Sequence, residues 1–202
     1  DSPKAHNNLG VILHEQNHLL RAFRSFQTAT ELDPLYAEAF NNMGSVFRDN
    51  EQNDAAIAAF KQAIKLDPNL ADGHNNLGSI FQRQGDYRTA LICFERALEL
   101  AADFAPALSN MGGISHRQNR QDEAIDFFMR ALAIDPNYPE AHFNYSEVIL
   151  LTQSDLRKGW KEHRWRWKKR EFYNQFRDFG VPLWDGSDLG GKRIAVWGEQ
   201  GV

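Results

Sequence analysis

Cysteine is almost absent: Cys93 is the single thiol in 202 residues, which excludes an internal disulfide. No apolar run approaches the roughly 20 residues that a membrane span needs; around the 140s the run ends after Val148 to Leu151. No signal-peptide pattern opens the sequence, so a cytoplasmic protein is the expectation. Neither charge sign dominates, with 23 Lys and Arg against 27 Asp and Glu and a net charge of −4. That balance argues against nucleic acid as the partner. Tryptophan is missing until Trp160, and all five then follow, so the chain changes texture late.

What is present is a period. Leu9-Gly10, Met43-Gly44, Leu77-Gly78 and Met111-Gly112 recur every 34 residues, and the next step falls on Tyr145-Ser146. Units can be counted from Pro3, Ala37, Ala71, Ala105 and Pro139. Their twentieth position is then Ala22, Ala56, Ala90 and Ala124, and their twenty-fourth is Phe26, Phe60, Phe94 and Phe128. The twenty-seventh is Ala29, Ala63, Ala97 and Ala131, and Pro34, Pro68 and Pro136 stand near unit ends. A repeat of this length is a supersecondary unit that cannot bury its own apolar face and must stack on its neighbours. Small residues let two helices approach, and Phe fills the gap beside them. In the second repeat, Phe40, Met43 and Phe47, then Ala56, Phe60, Ala63 and Ile64, recur at the steps of one helical face.

This pattern resembles the tetratricopeptide repeat, a helix-turn-helix unit. The resemblance implies an all-α, right-handed superhelical solenoid of about five helical pairs. Two departures stand out. Ala102 replaces the third repeat's Pro, and Lys158 and Glu162 replace the fifth repeat's Ala and Phe. Locally, Asp54 is expected to cap its helix and Leu66-Asp67-Pro68 to end it. Gly85 suits the stop between two helices, and Ser2-Pro3 suits a helix start. Cys93 reads as a small buried hydrophobe.

The candidate binding residues lie on the first helices, which by the resemblance line the concave side. The sixth position is Asn8, Asn42, Asn76, Asn110 and Asn144; the fifth adds Asn7, Asn41 and Asn75, then Ser109 and Phe143. Asn costs about 0.5 kcal/mol in a helix interior relative to Ala, so its recurrence at one register needs a cause. Two are open. Stacked amides, each with donors and an acceptor, can hold the main chain of an extended peptide. Alternatively they bond to the neighbouring repeat and tie repeats together. The row resembles the asparagine ladder of O-linked N-acetylglucosamine transferases, which implies a groove for protein substrates. Lys4, Glu15, Arg48, Asp49, Gln82, Arg83, His116 and Arg117 complete the expected lining, and their mixed charges imply no ligand of one sign.

Residues 1–153 are thus expected to form the repeat solenoid, 154–180 a capping or junction helix, and 181–202 a linker with a first β-strand. From Asp155 to Asp178 nine Lys or Arg face four acids. Capping, with Trp inward and cations in water, is preferred over single-stranded nucleic acid. Gly159-Trp160, Trp165-Arg166-Trp167, Pro182-Leu183-Trp184-Asp185-Gly186, Leu189, Gly191-Lys192 and Glu199-Gln200-Gly201 occur in this order. The series resembles the junction of bacterial proteins that join tetratricopeptide repeats to a heptosyltransferase-like glycosyltransferase domain. Their Tyr-Glu pair is His163-Arg164 here. The resemblance implies that Ile194 to Trp197 starts a truncated α/β domain whose catalytic residues lie outside this sequence.

Other motifs fail on context. His14-Glu15-Gln16-Asn17-His18 spells a zinc-protease motif, but the repeat puts Asn17 in the inter-helix turn. Gly186 to Lys192 lacks the Ser or Thr of a phosphate loop. His6, His74 and His142 share the fourth repeat position and read as packing residues. The expectation is therefore a non-enzymatic interaction scaffold without metal or cofactor, whose groove takes a protein or extended peptide. Membrane binding is not expected; self-association through solenoid ends is a further alternative.

Overall fold

The structure, a computed structural model, describes residues 2–169. Every regular element among them is helical. The chain divides into two compact units, residues 1–107 and 108–202.

The first unit holds three helical pairs: α1 (Pro3–Glu15) with α2 (Leu19–Leu32), α3 (Ala37–Asp49) with α4 (Asn53–Leu66), and α5 (Ala71–Arg83) with α6 (Tyr87–Leu100). The pairing rests on glycine and phenylalanine. A Cβ placed on Gly10 or Gly44 would lie 2.5 Å from the Phe26 or Phe60 ring, and one on Gly78 would lie 2.7 Å from Phe94. Phe26, Phe60 and Phe94 are fully buried. Each contributes about 1.5–3 kcal/mol of apolar burial. Consecutive pairs stack because α2 covers α3 and α4 covers α5. Ala22, Phe26 and Val46 form one core cluster, and Ala56, Phe60, Leu77 and Ile80 form another.

The turns obey backbone rules. Asn17, Glu51 and Gly85 have φ of 62°, 60° and 82°, the left-handed region. The next amide reaches back to close each helix: His18 N–H to the Leu13 carbonyl at 2.8 Å, Gln52 to Phe47 at 2.9 Å, and Asp86 to Phe81 at 2.9 Å. This is the Schellman stop. Between pairs, Asp33 and Asp67 adopt the extended geometry that the following Pro requires. Their carboxylates accept the amides of Leu35 and Asn69, both at 3.0 Å. Asp54 is not the cap of α4. That helix starts two residues earlier than such a cap would place it, at Asn53, with Gln52 at the cap and no side-chain cap bond. Ser2 and Pro3 do open α1, although the Ser2 hydroxyl makes no cap bond. Cys93 is half-buried against the second core cluster, and burial pushes its thiol pKa up.

The second unit pairs α7 (Ala105–Arg117), whose first residues overlap the boundary, with α8 (Gln121–Ile134). It then pairs α9 (Pro139–Thr152) with a short α10 (Leu156–His163) and a 3-10 helix over Arg164–Lys168. Gly112 faces Phe128 as in the earlier pairs, and Asn119 takes the left-handed turn at φ 61°. The last pair differs at both halves of that contact, since Ser146 replaces the glycine and Glu162 the phenylalanine. Glu162 instead bonds His142 Nδ1, while His142 Nε2 donates to the Pro136 carbonyl at 2.9 Å. Trp165 stacks on the His142 ring at 4.0 Å. Of the stretch 154–180 expected to form a basic, Trp-rich capping or junction helix, the described part holds the 8-residue α10 and the 3-10 turn, and the rest lies outside the described residues. The expected strand at Ile194 to Trp197, the linker motifs from Pro182 to Gly201, and Trp184 and Trp197 lie outside the described residues.

Candidate functional site

The repeated Asn residues sit in the middle of the first helices, and the structure gives the two rows different surroundings. Asn7, Asn41 and Asn75, at the fifth position, are buried to 5%, 8% and 8% exposure. Asn8 is exposed, and Asn42 and Asn76 are half-buried. The rows meet across repeats. The Asn42 amide donates to Asn7 Oδ1 at 2.9 Å, and the Asn76 amide donates to Asn41 Oδ1 at 3.0 Å. Asn7 and Asn41 thus tie neighbouring repeats together. Asn7, Asn41 and Asn75, expected to line a ligand groove, are buried and leave little surface to offer one.

The sixth position keeps unused capacity. Asn8 has no hydrogen-bond partner among the described residues, and Asn42 spends one N–H while its Oδ1 accepts nothing from them. Asn76 is more fully used, since its Oδ1 accepts from Arg48 Nη1 at 3.4 Å. In the second unit, Asn110 and Asn144 are half-buried and Arg117 is exposed.

The cations of the first unit are partly committed. Arg48 Nε donates to Asp49 Oδ1 at 3.1 Å, and His14 Nε2 contacts Asp49 Oδ2 at 2.9 Å. Burial alone would raise the Asp49 pKa, but the His14 bond and the Arg48 guanidinium outweigh it and hold the carboxyl at about 2. Exposed Arg83 reaches the Arg48 carbonyl at 3.5 Å. At the start of the same helices, burial and the nearby Glu38 charge raise the Asp72 pKa. The resulting face presents amides between Glu38 and Asp72 near the helix starts and the Arg48–Asp49 pair with Arg83 near the helix ends. It offers hydrogen bonds and no nucleophile or base aimed at a common point.

His14 and His18 fall on either side of the left-handed Asn17, so one helical turn does not carry both. Among the described residues no three His, Cys, Asp or Glu cluster as metal ligands. His74 Nε2 binds the Pro68 carbonyl at 3.1 Å, the same bond His142 makes with Pro136. The shared register of these two histidines thus has a structural cause, locking a first helix onto the preceding loop. An open hollow of about 600 Å³ lies at the turns, lined by Glu51 to Ala55 and Gln84, apart from the Asn rows.

Helical hairpins repeated at fixed spacing, with a polar first-helix face, define a helical-repeat protein without a built catalytic centre among its described residues. The family is the tetratricopeptide repeat. Its models match residues 3–34, 44–85 and 69–137, together more than half of the chain, which therefore belongs to it. No curated protein matched the sequence. Solved structures share the fold. A thermophilic tetratricopeptide-repeat protein of Thermus thermophilus is 18% identical with a TM-score of 0.72, over 84% of this chain and 92% of its own. PilW, a type IV pilus biogenesis factor, is 22% identical with a TM-score of 0.71, over 83% and 78%. YrrB, described as having an unusual peptide-binding site, is 23% identical with a TM-score of 0.52, over 81% and 84%.

Proposed function

We propose that the chain is a protein-interaction scaffold whose first-helix face holds the main chain of an extended peptide. The observation that carries this reading is the unspent amide capacity of Asn8 and Asn42, beside fifth-position amides that are already used. Packed helices lie roughly 8–10 Å apart, and an extended chain advances about 3.3 Å per residue. Each rung of the row would then meet every third peptide residue. Main-chain recognition needs donors and acceptors in a row and little side-chain selectivity. The peptide-binding site named for YrrB supports the same use of the fold.

The test is a phage-displayed library of random peptides, about 12 residues long to span several rungs at that rise, panned on the chain. Enriched peptides should lose at least about tenfold in affinity, roughly 1.4 kcal/mol, against the Asn8→Ala, Asn42→Ala double variant. N-methylation of alternate peptide amides should weaken binding similarly. Equal affinity for both proteins would sink the reading.

A second part of the proposal is that the scaffold presents its substrate to an attached glycosyltransferase domain. Its support is the ordered series from Gly159-Trp160 to Glu199-Gln200-Gly201. Residues 1–202 alone should show no turnover of a sugar nucleotide, and measurable turnover would overturn the scaffold assignment. Location in the cytoplasm belongs to the same proposal.

A further inference from the structure

The first unit has an apolar hollow apart from the amide row. It lies between the first two helical hairpins, holds about 380 Å³ and opens to solvent. Leu19, Leu20 and Phe23 of α2 and Val46 and Phe47 of α3 wall it, and Asn50 and Gln52 form its rim. The Phe23 and Phe47 rings meet at 5.3 Å and 57°. Val46 is part of the first core cluster, Leu19 and Phe23 pack on it, and Phe47 packs on the second. Leu20 joins neither cluster and stands 66% exposed. The period marks this leucine as an exception. One, two and three repeats on, its position is Asp54, Arg88 and Asp122, each exposed and each with a helical pair before it. The position thus faces outward wherever it stands in the array, and elsewhere it carries charge. The hollow one repeat on is polar, lined by Glu51 to Ala55 and Gln84.

The charges around the hollow say what fits it. Arg21 and Arg24 of α2 are exposed, and the only acid of that helix is Glu31. Arg24 lies four residues after Leu20, on the same helical face. Neither guanidinium has a partner among the described residues, and the side-chain amides of Asn50 and Gln52 have none either. An apolar floor inside a polar, charged rim is the anatomy of a protein docking site. A small molecule would need a more enclosed cleft, since such ligands bury roughly 70–90% of their surface. We propose that the hollow docks a segment of a partner protein presenting one large apolar side chain, Leu or an aromatic, within a helical turn of Asp or Glu. The apolar side chain enters against Leu20 and the Phe23–Phe47 pair. The carboxylate lies on the α2 side, toward Arg21 and Arg24, because Glu51 adjoins the opposite rim beside Gln52. Asn50 and Gln52 are left for the main chain of the segment. The site shares no residue with Asn8 and Asn42, so its failure would leave the peptide reading intact.

The experiment pans phage-displayed random peptides on the full chain carrying Asn8→Ala and Asn42→Ala, so that the amide row is not what selects them. The enriched peptides should place Leu, Phe or Trp within a turn of Asp or Glu. The most enriched one, synthesised, should lose at least about tenfold in affinity against Leu20→Asp and against Arg21→Glu with Arg24→Glu. Its affinity should be the same for the wild-type chain as for the panned variant. Leu20→Asp should move the Tm by less than about 2 °C, since exposed positions are tolerant. In NMR titration of the wild-type chain, the signals of Phe23, Phe47 and Gln52 should shift, a readout that needs no variant. Three results would overturn the proposal. One is a peptide that binds Leu20→Asp as well as wild type and shifts other residues. Another is enrichment of basic peptides, or of none. The last is concentration-dependent dimerisation of the chain, in sedimentation, that Leu20→Asp abolishes; this would make a second copy the occupant.

Discussion

At the residue scale, two glycines in the first unit separate close approach from mere smallness. Gly44 sits where an added Cβ would meet the Phe60 ring at 2.5 Å, and the ring is fully buried with no room to retreat. Gly44→Ala should therefore destabilise the chain by about 1–3 kcal/mol, as overpacking does. Gly73 also lies inside a helix, but its added Cβ would meet only side-chain carbons at wider spacing, Ile64 Cγ1 at 3.1 Å and Leu70 Cδ2 at 3.3 Å, which need move by a few tenths of an ångström. The same register holds Ala5, Ala39, Ala107 and Ala141 in the other repeats. Gly73→Ala should stabilise by up to about 1 kcal/mol through helix propensity. Urea unfolding of the two variants checks the opposite signs; a loss of stability in both would mean that the α4–α5 contact is tighter than the geometry shows.

At the element scale, the junctions between pairs show what a sequence pattern can reveal. Asp33-Pro34 and Asp67-Pro68 join pairs by an extended residue before proline and a bond from the Asp carboxylate to the amide two residues on. The third junction is Ala101-Ala102 and has neither device. Yet Ala101 has φ −143° and ψ 98°, against φ −138° and ψ 94° at Asp33, so the backbone already suits a following proline. Ala102→Pro should add about 0.4–1 kcal/mol, chiefly by restricting the unfolded chain. A raised urea midpoint with an unchanged m-value is the expected result, and a lowered one would show strain at that site. The stop at Gly85 and the helix ends before Pro34, Pro68 and Pro136 were legible because Gly and Pro act locally, whereas the left-handed Glu51 and the Ala101-Ala102 junction carry no such signal. The last pair was legible only as a departure. Replacing Phe by Glu162 and Gly by Ser146 announces that the usual packing is lost, but the His142 and Trp165 contacts that replace it depend on tertiary geometry.

The same element carries a pH dependence. Burial, then the Arg166 guanidinium, pushes the His163 pKa from 6.5 down to about 4. The bonds agree with a neutral ring, since Nε2 accepts from Arg166 at 2.8 Å and Nδ1 lies 3.1 Å from Ser146 Oγ. A base whose folded pKa is depressed binds its proton more readily when released. The docking of α10 should thus be complete above pH 6.5 and weaken as pH falls from 6.5 to 4. NMR titration of the His163 ring should give a midpoint near 4, and Arg166→Gln should raise it. A midpoint at 6.5 would mean that the ring is in water.

At the scale of the whole molecule, repetition made the fold readable and left the site half-read. A period of 34 residues places every first helix in the same register, so one pattern of Gly, Ala and Phe specifies each of the first four pairs. The Asn rows are readable as rows for the same reason. What the period cannot separate is a side chain bonded to the next repeat from one directed at a ligand, because both recur once per repeat. Burial and bond partners divide them, and the division can be tested. Asn41→Ala removes the acceptor of the Asn76 amide at 3.0 Å and empties a buried site. The lost bond is worth about 0.5–1.5 kcal/mol, and the gain in helix propensity returns about 0.5. A net loss of up to about 1 kcal/mol is expected. Asn8→Ala removes an exposed amide with no partner among the described residues, so it should raise stability by about 0.5 kcal/mol through propensity alone. On the scaffold reading it should still weaken peptide capture. Thermal unfolding and peptide affinity measured on both variants separate the roles: stability must fall for Asn41→Ala and not for Asn8→Ala. If Asn8→Ala leaves peptide affinity unchanged, the sixth-position row has no ligand at that end.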